Sequence, residues 1–239
     1  MSGGVESQSG SWMIDELDYA GPEHLDPTFV AAYEQKQGTP DPTADLELLA
    51  AHGLGPTSTV VDLGAGTGIF ALAAARRFGH VTAVDVSPAM LDIVRDRAQK
   101  AGLVNLDCVE AGFLTYQHVG AQVDAVYTRN ALHHLPDFWK GLALNRIASI
   151  MRTGGVLRLH DLIYDFQPDE ANLVLDRWLE SAASDPARGY TREDFAEHIR
   201  SEHSTFRWLL EPMLALTGFH VVRADFTGSV YGAYTCIKH

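Results

Sequence analysis

The stretch VVDLGAGTGIF, residues 60–70, decides the fold of this chain. An apolar run leads into the acid Asp62, and glycines follow at alternate positions, Gly64, Gly66 and Gly68. A strand that runs into a glycine loop and then a helix lets the backbone approach a ligand closely, as in nucleotide-binding α/β proteins. The stretch therefore predicts the first βα unit of such a sheet, with a nucleotide at its loop.

The glycine spacing and the preceding acid indicate which nucleotide the loop binds. The dinucleotide fingerprint is G-x-G-x-x-G, and it places an anionic pyrophosphate on the loop. Here the pattern is D-x-G-x-G-x-G, so the charge of Asp62 opposes a pyrophosphate and attracts a cationic ligand. S-adenosylmethionine carries a sulfonium and an ammonium group, and it suits this loop better than a nicotinamide dinucleotide does.

A second acid ends the next predicted strand. Asp85 follows Gly64 by about 20 residues, the separation expected for a carboxylate that binds ribose hydroxyls. Dinucleotide and S-adenosylmethionine sites share this feature. Asp85 therefore supports a ribose-containing ligand without choosing between the two.

Strand patterns recur along the rest of the chain. The predicted strands are residues 59–63, 81–86, 104–110, 123–128, 155–160, 219–226 and 230–237. Helical stretches separate the first five, which implies parallel βαβ units, whereas the short link between the last two permits only a hairpin. We predict an α/β, Rossmann-like doubly wound seven-stranded sheet, with five parallel strands and an antiparallel C-terminal hairpin.

Segments outside this pattern suggest the domain organisation. Residues 1–52 form an N-terminal tail and a lid or cap, and residues 53–239 form the Rossmann-like domain. Residues 165–217 form a helical insertion for the substrate. Helix-start signals support the alternation of strands and helices, since Ser87 precedes one helical pattern, and Thr191, with Asp194 three residues later, begins a helix within the insertion.

Composition narrows the partners and the compartment. The formal net charge of the 239 residues is −13, and no basic patch interrupts it, which argues against nucleic acid as a partner. The first ten residues lack the features of a signal peptide, and no apolar run approaches the ~20 residues of a membrane span. We expect a cytoplasmic protein that acts on a small molecule. Its oligomeric state is not readable from the sequence.

Four stretches occur together in a recognisable order. They are VVDLGAGTGIFALAAA from residue 60, VTAVDVSPAMLDIVRDRA from 81, VDAVYTRNALHHLPD from 123 and IMRTGGVLRL from 150. This set resembles a class I S-adenosylmethionine-dependent methyltransferase, of the broad group that includes ubiquinone/menaquinone-type and many small-molecule enzymes. The resemblance spans roughly residues 55–162. It leaves out the N-terminal segment and the insertion, which normally decide the substrate in such enzymes.

The resemblance implies S-adenosylmethionine as cofactor and a role for each matching residue. The methionyl part lies against the glycine loop, the ribose on the second acid, and the adenine between the residues after strands two and three. The implied cofactor-binding residues are Asp62, Gly64, Ala65, Gly66, Asp85, Val86, Met90, Ala111, Gly112, Phe113 and Asn130. One of them departs from the family, which commonly has an aspartate bonded to the adenine amino group where this chain has Gly112.

Methyl transfer needs alignment of donor and acceptor, and a base where the acceptor carries a proton. His133 and His134 lie in the loop after strand four, and His160 and Asp161 are expected at the end of strand five, facing the same crevice. We choose His134 and His160 as the catalytic candidates. Structural roles in loop, core or capping remain the alternative for all four.

The insertion and the N-terminal segment contribute further candidates. His198 and Glu202 share one helical face, which we interpret as solvated, and we predict no metal site. Tyr190, Phe206 and Trp208 are possible walls for an apolar substrate, with core packing as the alternative. The possible lid residues over the cofactor are Tyr19, Tyr33 and Lys36.

Three other functions stay open at this point. One is a nucleic-acid or protein methyltransferase, although RNALHH after strand four lacks the Asn/Asp-Pro-Pro-Tyr typical of enzymes for exocyclic base amines. Another is a module that binds S-adenosylmethionine without catalysis, which the glycine at position 112 keeps in consideration. The last is a nicotinamide-dependent oxidoreductase, which Asp62 disfavours.

Overall fold

The computed structural model describes residues 12–20 and 40–239. The helices are α1 (Thr43–Ala51), α2 (Ile69–Ala74), α3 (Pro88–Lys100), α4 (Asp137–Ile150), α5 (Ala171–Glu180), α6 (Arg192–Ser201) and α7 (Arg207–Leu216). The strands are β1 (Thr59–Leu63), β2 (His80–Asp85), β3 (Leu106–Glu110), β4 (Val123–Arg129), β5 (Met151–Tyr164), β6 (Thr205–Phe206), β7 (Phe219–Thr227) and β8 (Tyr231–Lys238). The 3₁₀ turns are Glu16–Tyr19, Leu132–His134, Pro168–Glu170 and Pro186–Arg188.

The strands form one mixed sheet in the order β3-β2-β1-β4-β5-β8-β7. The first five in this order are parallel, and β8 lies antiparallel between β5 and β7. This confirms the predicted doubly wound sheet with its antiparallel hairpin. The two-residue β6 pairs with the far end of β5 and adds an eighth strand that no sequence pattern indicated.

The largest difference from the predicted strands concerns β5. We expected residues 155–160, after a helix that ends at Gly154 and Gly155, but α4 ends at Ile150 and β5 runs from Met151 to Tyr164. Pairing explains the early start, because Val123 of β4 already faces Met151 and the register then shifts before Val156. The intervening residues form a bulge, in which Arg152 Nε donates to Asp124 Oδ1 at 2.6 Å.

Local capping explains where two helices begin. Ser87 Oγ accepts from the backbone N–H of Met90 at 3.2 Å at the start of α3. Thr191 and Asp194 form a reciprocal capping box at the start of α6. Both starts were predicted, because a cap depends only on residues within one turn of each other.

Apolar side chains cover both faces of the sheet. One cluster contains Leu63, Val126, Leu157 and Tyr234 beneath α4 and α7, and the other contains Phe70, Val81 and Val94 beneath α2 and α3. Helix α1 lies within the segment predicted as lid, yet its Leu46 and Leu49 belong to the second cluster. Helix α1 therefore packs against one face of the sheet.

Residues 12–20 pack against the first cluster, on the opposite face of the sheet from α1. Trp12 stacks on Trp139 of α4 with ring centroids 5.7 Å apart, and Met13 and Ile14 pack against the first cluster. The predicted tail, together with the candidates Tyr33 and Lys36, lies outside the described residues. Within the described ranges, no helix has the length and apolar character needed to cross a bilayer.

Candidate active site

The glycine loop between β1 and α2 forms the floor of the site. Gly64 has φ of 72°, and a Cβ there would overlap the side chain of Ala131 in the loop after β4. Gly66 has φ of 52°, and a Cβ there would enter open space. The loop is held by β2, because the backbone N–H groups of Gly64 and Ala65 both donate to the carbonyl of Val84. It therefore presents bare backbone to a cleft that a ligand can enter.

Asp85 joins the loop to the start of α3. Its Oδ2 accepts from the backbone N–H of Gly66 at 2.8 Å and its Oδ1 accepts from Ser87 N–H at 2.9 Å. Carboxylate oxygens have several lone pairs, so these bonds are compatible with a further contact to ribose hydroxyls. Asp85 thus has a structural role in the loop that its predicted ligand role did not include.

A pocket opens over the glycine loop. Asp62 lies at its floor with 2% of its surface exposed, and burial together with the charge of Asp85 raises the pKa of Asp62 to about 8. Arg129, at the end of β4, also lines the pocket. The other lining residues are Pro40, Asp41, Pro42, Gly64, Ala65, Gly66, Thr67, Ile69, Phe70, Tyr127 and Asn130. A carboxyl group and a guanidinium in one pocket match the ammonium and carboxylate of an amino-acid head group.

The predicted adenine residues lie at the carboxyl ends of β2 and β3. Val86 is half-buried, whereas Met90 is 1% exposed and turned into the core. Ala111, Gly112 and Phe113 follow β3, and the backbone N–H of Ala111 donates to the carbonyl of Asp85.

The carboxyl group of Glu16 lies directly against Gly112. Burial raises the pKa of Glu16, although hydrogen bonds from Leu114 and Thr115 act in the opposite direction. Nothing in the sequence placed this residue near the end of β3.

A buried imidazole links the loop after β4 to β5 and to the insertion. His133 Nδ1 bonds to Asp161 Oδ1, and its Nε2 lies 2.8 Å from Glu202 Oε2. Burial lowers the pKa of His133, but these two carboxylates outweigh it and raise the pKa to about 9. The pKa of Asp161 and that of Glu202 both lie below their usual values despite burial, because His133 faces each of them. The two carboxylates therefore favour the imidazolium form of His133.

Two more histidines converge on the same carboxylate. His134 Nδ1 lies 3.4 Å from Glu202 Oε2 and His198 Nδ1 lies 3.3 Å from it. The interpretation of His198 and Glu202 as a solvated helix face was wrong, since both are partly buried against the loop after β4. Helical spacing showed that they share a face but could not show what that face contacts.

The cluster also has donor types that bind metals. Ligand atoms of His133, His198 and Glu202 lie within 4.8 Å of one another. Divalent ions require neutral imidazole nitrogens, whereas His133 offers each of its nitrogens to a carboxylate and carries a proton on both when charged. The carboxylates around His133 favour proton sharing, and the absence of a metal site stays a prediction.

His160 lies in a different environment from His134. Its Nε2 lies 2.8 Å from Oδ1 of Asp45 in α1, and the same oxygen accepts from Arg158 Nε at 2.8 Å. Burial lowers the pKa of His160, whereas His160 and Arg158 outweigh the burial of Asp45 and lower its pKa to about 2. The expectation that His160 and Asp161 face one crevice at the end of strand five was wrong. Both lie inside the longer β5, where successive side chains point to opposite faces of the sheet.

The predicted aromatic walls lie mainly in the insertion itself. Phe206 packs edge-on to Tyr164 and stacks on Trp208, with ring centroids 5.7 and 5.2 Å away. Tyr190 stacks on Phe195 of α6 at 6.0 Å. Tyr19 of the N-terminal segment contacts His203 at 5.8 Å. Of these rings, Phe206 packs against the hydrophobic cluster of the insertion around Trp178, whereas Trp208 is 49% exposed.

Sequence reasoning missed several residues of the site. Glu16, Asp45 and Arg129 carry charges into it, and Lys140, only 1% exposed, donates to the carbonyls of Leu135 and His203. Arg129 directly precedes Asn130 at a strand end, so its position gave a usable signal. Glu16 and Asp45 meet the site through contacts distant in sequence, for which the sequence contains no local signal, and so does Lys140 in its contact with His203.

The sequence of the chain is similar to those of known methyltransferases. Residues 60–155 match the family model described as a methyltransferase domain. An uncharacterized methyltransferase of Mycobacterium tuberculosis is 36% identical over 157 residues, which cover 61% of this chain and 77% of that protein. The ubiquinone/menaquinone biosynthesis C-methyltransferase of Allorhizobium ampelinum is 32% identical over 159 residues, or 64% of this chain and 56% of that protein. The 27-O-demethylrifamycin SV methyltransferase of Amycolatopsis mediterranei is 30% identical over 119 residues, which cover 49% of this chain and 42% of that protein.

Solved structures share the architecture at lower identity. The magnesium protoporphyrin IX methyltransferase of Synechocystis PCC 6803, crystallised with bound S-adenosylmethionine, superposes with a TM-score of 0.65 at 14% identity, covering 97% of this chain and 100% of that one. The mitomycin 7-O-methyltransferase superposes with a TM-score of 0.63 at 18% identity, covering 95% of this chain and 61% of that one. At these identities the likeness shows the common fold.

Proposed function

The chain belongs to the class I S-adenosylmethionine-dependent methyltransferases, and from this premise we propose that it methylates a hydroxyl group of a small molecule, with His134 as base. The observation that carries the proposal is the contact between His134 and the buried carboxylate of Glu202, in the loop that begins at Asn130 of the cofactor pocket. A base in the loop that leads from the cofactor pocket would serve an acceptor that must lose a proton.

The residues of the glycine-loop pocket fit the cofactor. When bound, S-adenosylmethionine supplies an electrophilic methyl group on a sulfonium. Asp62 and Arg129 would hold the two charges of its amino-acid part, and the bare backbone of Gly66 leaves room beside them. Asp85 would hold the ribose while it keeps the loop in place. These residues bind and orient, and none needs to form a covalent bond.

We infer that Glu202 orients His134 for proton transfer. A carboxylate at Nδ1 favours the tautomer with the proton on that nitrogen, so that Nε2 accepts the proton of the acceptor hydroxyl. The separation of 3.4 Å from Glu202 is within the range of catalytic contacts that tighten once substrate binds. Glu202 stays ionised because His133 and His198 also face it.

Three features support a small acceptor. The net charge of −13 disfavours a polyanionic substrate. The N-terminal segment and the insertion meet where Tyr19 contacts His203, the residue that follows Glu202, and such a cover over the base suits a small acceptor. The name of the 27-O-demethylrifamycin SV methyltransferase describes transfer to oxygen of a small molecule.

Substitution of the base tests the proposal. The purified protein is incubated with radiolabelled S-adenosylmethionine and a panel of small phenols, hydroxy acids and amines, and S-adenosylhomocysteine formation is followed. For the hydroxyl compound that is methylated, we expect His134→Gln to lower kcat by roughly 10²- to 10⁴-fold, as for loss of a general base. The Kd of S-adenosylhomocysteine should change by less than about twofold, because His134 does not line the cofactor pocket.

An exposed histidine far from the site is the matched control. His220→Gln on β7 should leave both kcat and Kd unchanged. Label that enters only nucleic acid or protein would contradict the small-molecule acceptor. Methylation of the amines alone, or a His134→Gln variant with normal kcat, would contradict the hydroxyl acceptor and the base.

A further inference from the structure

We propose that Glu16, delivered by the N-terminal segment, is the carboxylate that recognises the adenine amino group of the cofactor. It would take the place of the side chain that the residue at position 112 lacks. The inference rests on the cofactor of the proposed function but not on its acceptor or base. Its experiment therefore measures binding, which can succeed when acceptor screening fails.

Space, and not backbone conformation, requires glycine at position 112. Gly112 does not have a positive φ, so its backbone suits any residue. A Cβ added there would overlap the carboxyl carbon and both carboxyl oxygens of Glu16. Glu16 therefore occupies the volume into which a side chain at position 112 would extend.

The hydrogen bonds of Glu16 are those expected of an acid in that place. Its Oε2 accepts from the backbone N–H of Leu114 at 2.9 Å and from the hydroxyl of Thr115 at 3.2 Å. An aspartate at position 112 would accept from the backbone N–H two residues later in the same way. The turn after β3 thus has its capping carboxylate, supplied by a residue almost 100 positions earlier in the chain.

The place of this carboxylate in the sheet indicates what it meets. Asp85, the ribose acid, ends β2, and the adjacent outer strand is β3, which leads directly into Gly112. With the amino-acid part of the ligand over β1 and β4, the base must lie beyond the ribose, at the carboxyl end of β3. A carboxylate there accepts a hydrogen bond from an exocyclic amine and rejects a carbonyl.

The segment that carries Glu16 is anchored on both sides of it. Trp12 stacks on Trp139, Met13 and Ile14 pack against the core, and Tyr19 contacts His203 of the insertion. Asp15 caps the 3₁₀ turn by accepting from Leu17 N–H at 3.0 Å. The only described acid of this segment that is buried is Glu16, at 7% exposed.

A change of the base in the ligand tests the contact directly. We measure the Kd of S-adenosylhomocysteine and of S-inosylhomocysteine, which has a carbonyl in place of the adenine amine, by calorimetry. The wild type should prefer the adenine ligand by about tenfold or more, as expected when a charged hydrogen bond is lost. In Glu16→Gln, the amide oxygen keeps the bonds from Leu114 and Thr115 while the amide N–H₂ faces the base. The affinity of this variant for the adenine ligand should fall by roughly 10- to 100-fold, and the variant should bind the inosine ligand more tightly than the adenine ligand.

Two further variants separate recognition from folding. Asp18→Asn changes an exposed acid of the same turn and should keep wild-type affinity and preference. The double variant Glu16→Ala with Gly112→Asp should recover most of the preference for adenine, because the carboxylate returns from position 112. Gly112→Asp alone should weaken binding, since it overlaps Glu16.

Each outcome decides the inference. A wild type that binds both ligands equally, or a Glu16→Gln variant that loses affinity for both by the same factor, would overturn it and leave Glu16 a capping residue. A wild type that binds neither ligand would overturn the cofactor assignment itself. Normal discrimination with no methylated acceptor would support the inference and leave only the acceptor unresolved.

Discussion

One buried residue of the pocket, Asp62, leads us to predict that cofactor binding depends on pH. Burial and the charge of Asp85 raise the pKa of Asp62 to about 8, so the carboxyl is largely protonated at neutral pH before ligand binds. An ammonium group beside it favours the ionised form. We therefore expect binding of the cofactor below pH 8 to release a proton.

We expect the affinity for S-adenosylhomocysteine to rise with pH between 6 and 8, by up to about tenfold per unit, and then to level off. Calorimetry in buffers of different ionisation enthalpy measures the released proton directly. Asp62→Asn should bind more weakly at pH 8 and show little pH dependence over this range. A wild-type affinity that is flat from pH 6 to 8 would contradict the link.

Local sequence explains only part of the residue-scale site. Asp62, the loop glycines and Asp85 were predicted because each depends on spacing along a single strand–loop–helix unit. Glu16 was not predicted, because the glycine at position 112 shows only that a side chain is absent there and does not indicate which residue fills the space. His134 was chosen for its place after strand four, but its partner Glu202 comes from the insertion and could not be inferred from periodicity.

At the scale of elements, α6 connects the insertion to the site. It begins at the Thr191 and Asp194 capping box and ends at Ser201, immediately before Glu202. His198 on its last turn faces Glu202 and donates to or accepts from Ser204 Oγ at 2.9 Å. The start of the helix was readable from sequence, but the surface it covers was not.

Loss of the cap should therefore loosen the insertion. We expect Thr191→Ala to lower the free energy of unfolding by about 1 kcal/mol, measured by urea denaturation. Limited proteolysis should then cut within residues 181–205 sooner than in the wild type. Thr57→Ala, at an exposed threonine before β1, is the control and should change neither measurement. An unchanged midpoint in Thr191→Ala would show that tertiary contacts alone hold α6.

At the scale of the whole molecule, buried charges fasten the insertion to the sheet. Asp161 of β5, His133 of the loop after β4 and Glu202 of the insertion form a continuous chain of contacts. Lys140 adds a second link, because it donates to the carbonyls of Leu135 and His203 from α4. Breaking a buried ion pair costs about 3–5 kcal/mol, so this chain stabilises the arrangement as a unit.

The pKa directions give the pH range of that stability. The pKa of His133 rises from 6.5 to about 9, so its contribution is complete below pH 6.5 and is lost as pH rises through about 9. The pKa of Asp161 falls below 3.8, so its contribution is present above pH 3.8 and is lost in acid. Asp161→Asn should destabilise the protein by about 3–5 kcal/mol at pH 7 and reduce the decline above pH 8.

An exposed pair provides the comparison for this prediction. Asp107→Asn removes the ion-pair partner of His80. The side chain of Asp107 is 70% exposed and that of His80 is 43% exposed, so the substitution should change the free energy of unfolding by less than about 0.5 kcal/mol. Urea denaturation from pH 5 to 10 measures all three proteins. Equal alkaline slopes for the wild type and Asp161→Asn would show that His133 does not carry the dependence.

The position of β8 between β5 and β7 has a consequence for synthesis on the ribosome. The nascent chain completes β5 long before residues 231–238 emerge, and until then the long edge of β5 beyond β4 has no antiparallel neighbour. An open edge of this length recruits strands of other chains. We therefore expect a chain whose translation stops before β8 to aggregate through this open edge instead of folding as a smaller enzyme. A chaperone that binds the edge would prevent this until β7 and β8 are synthesised.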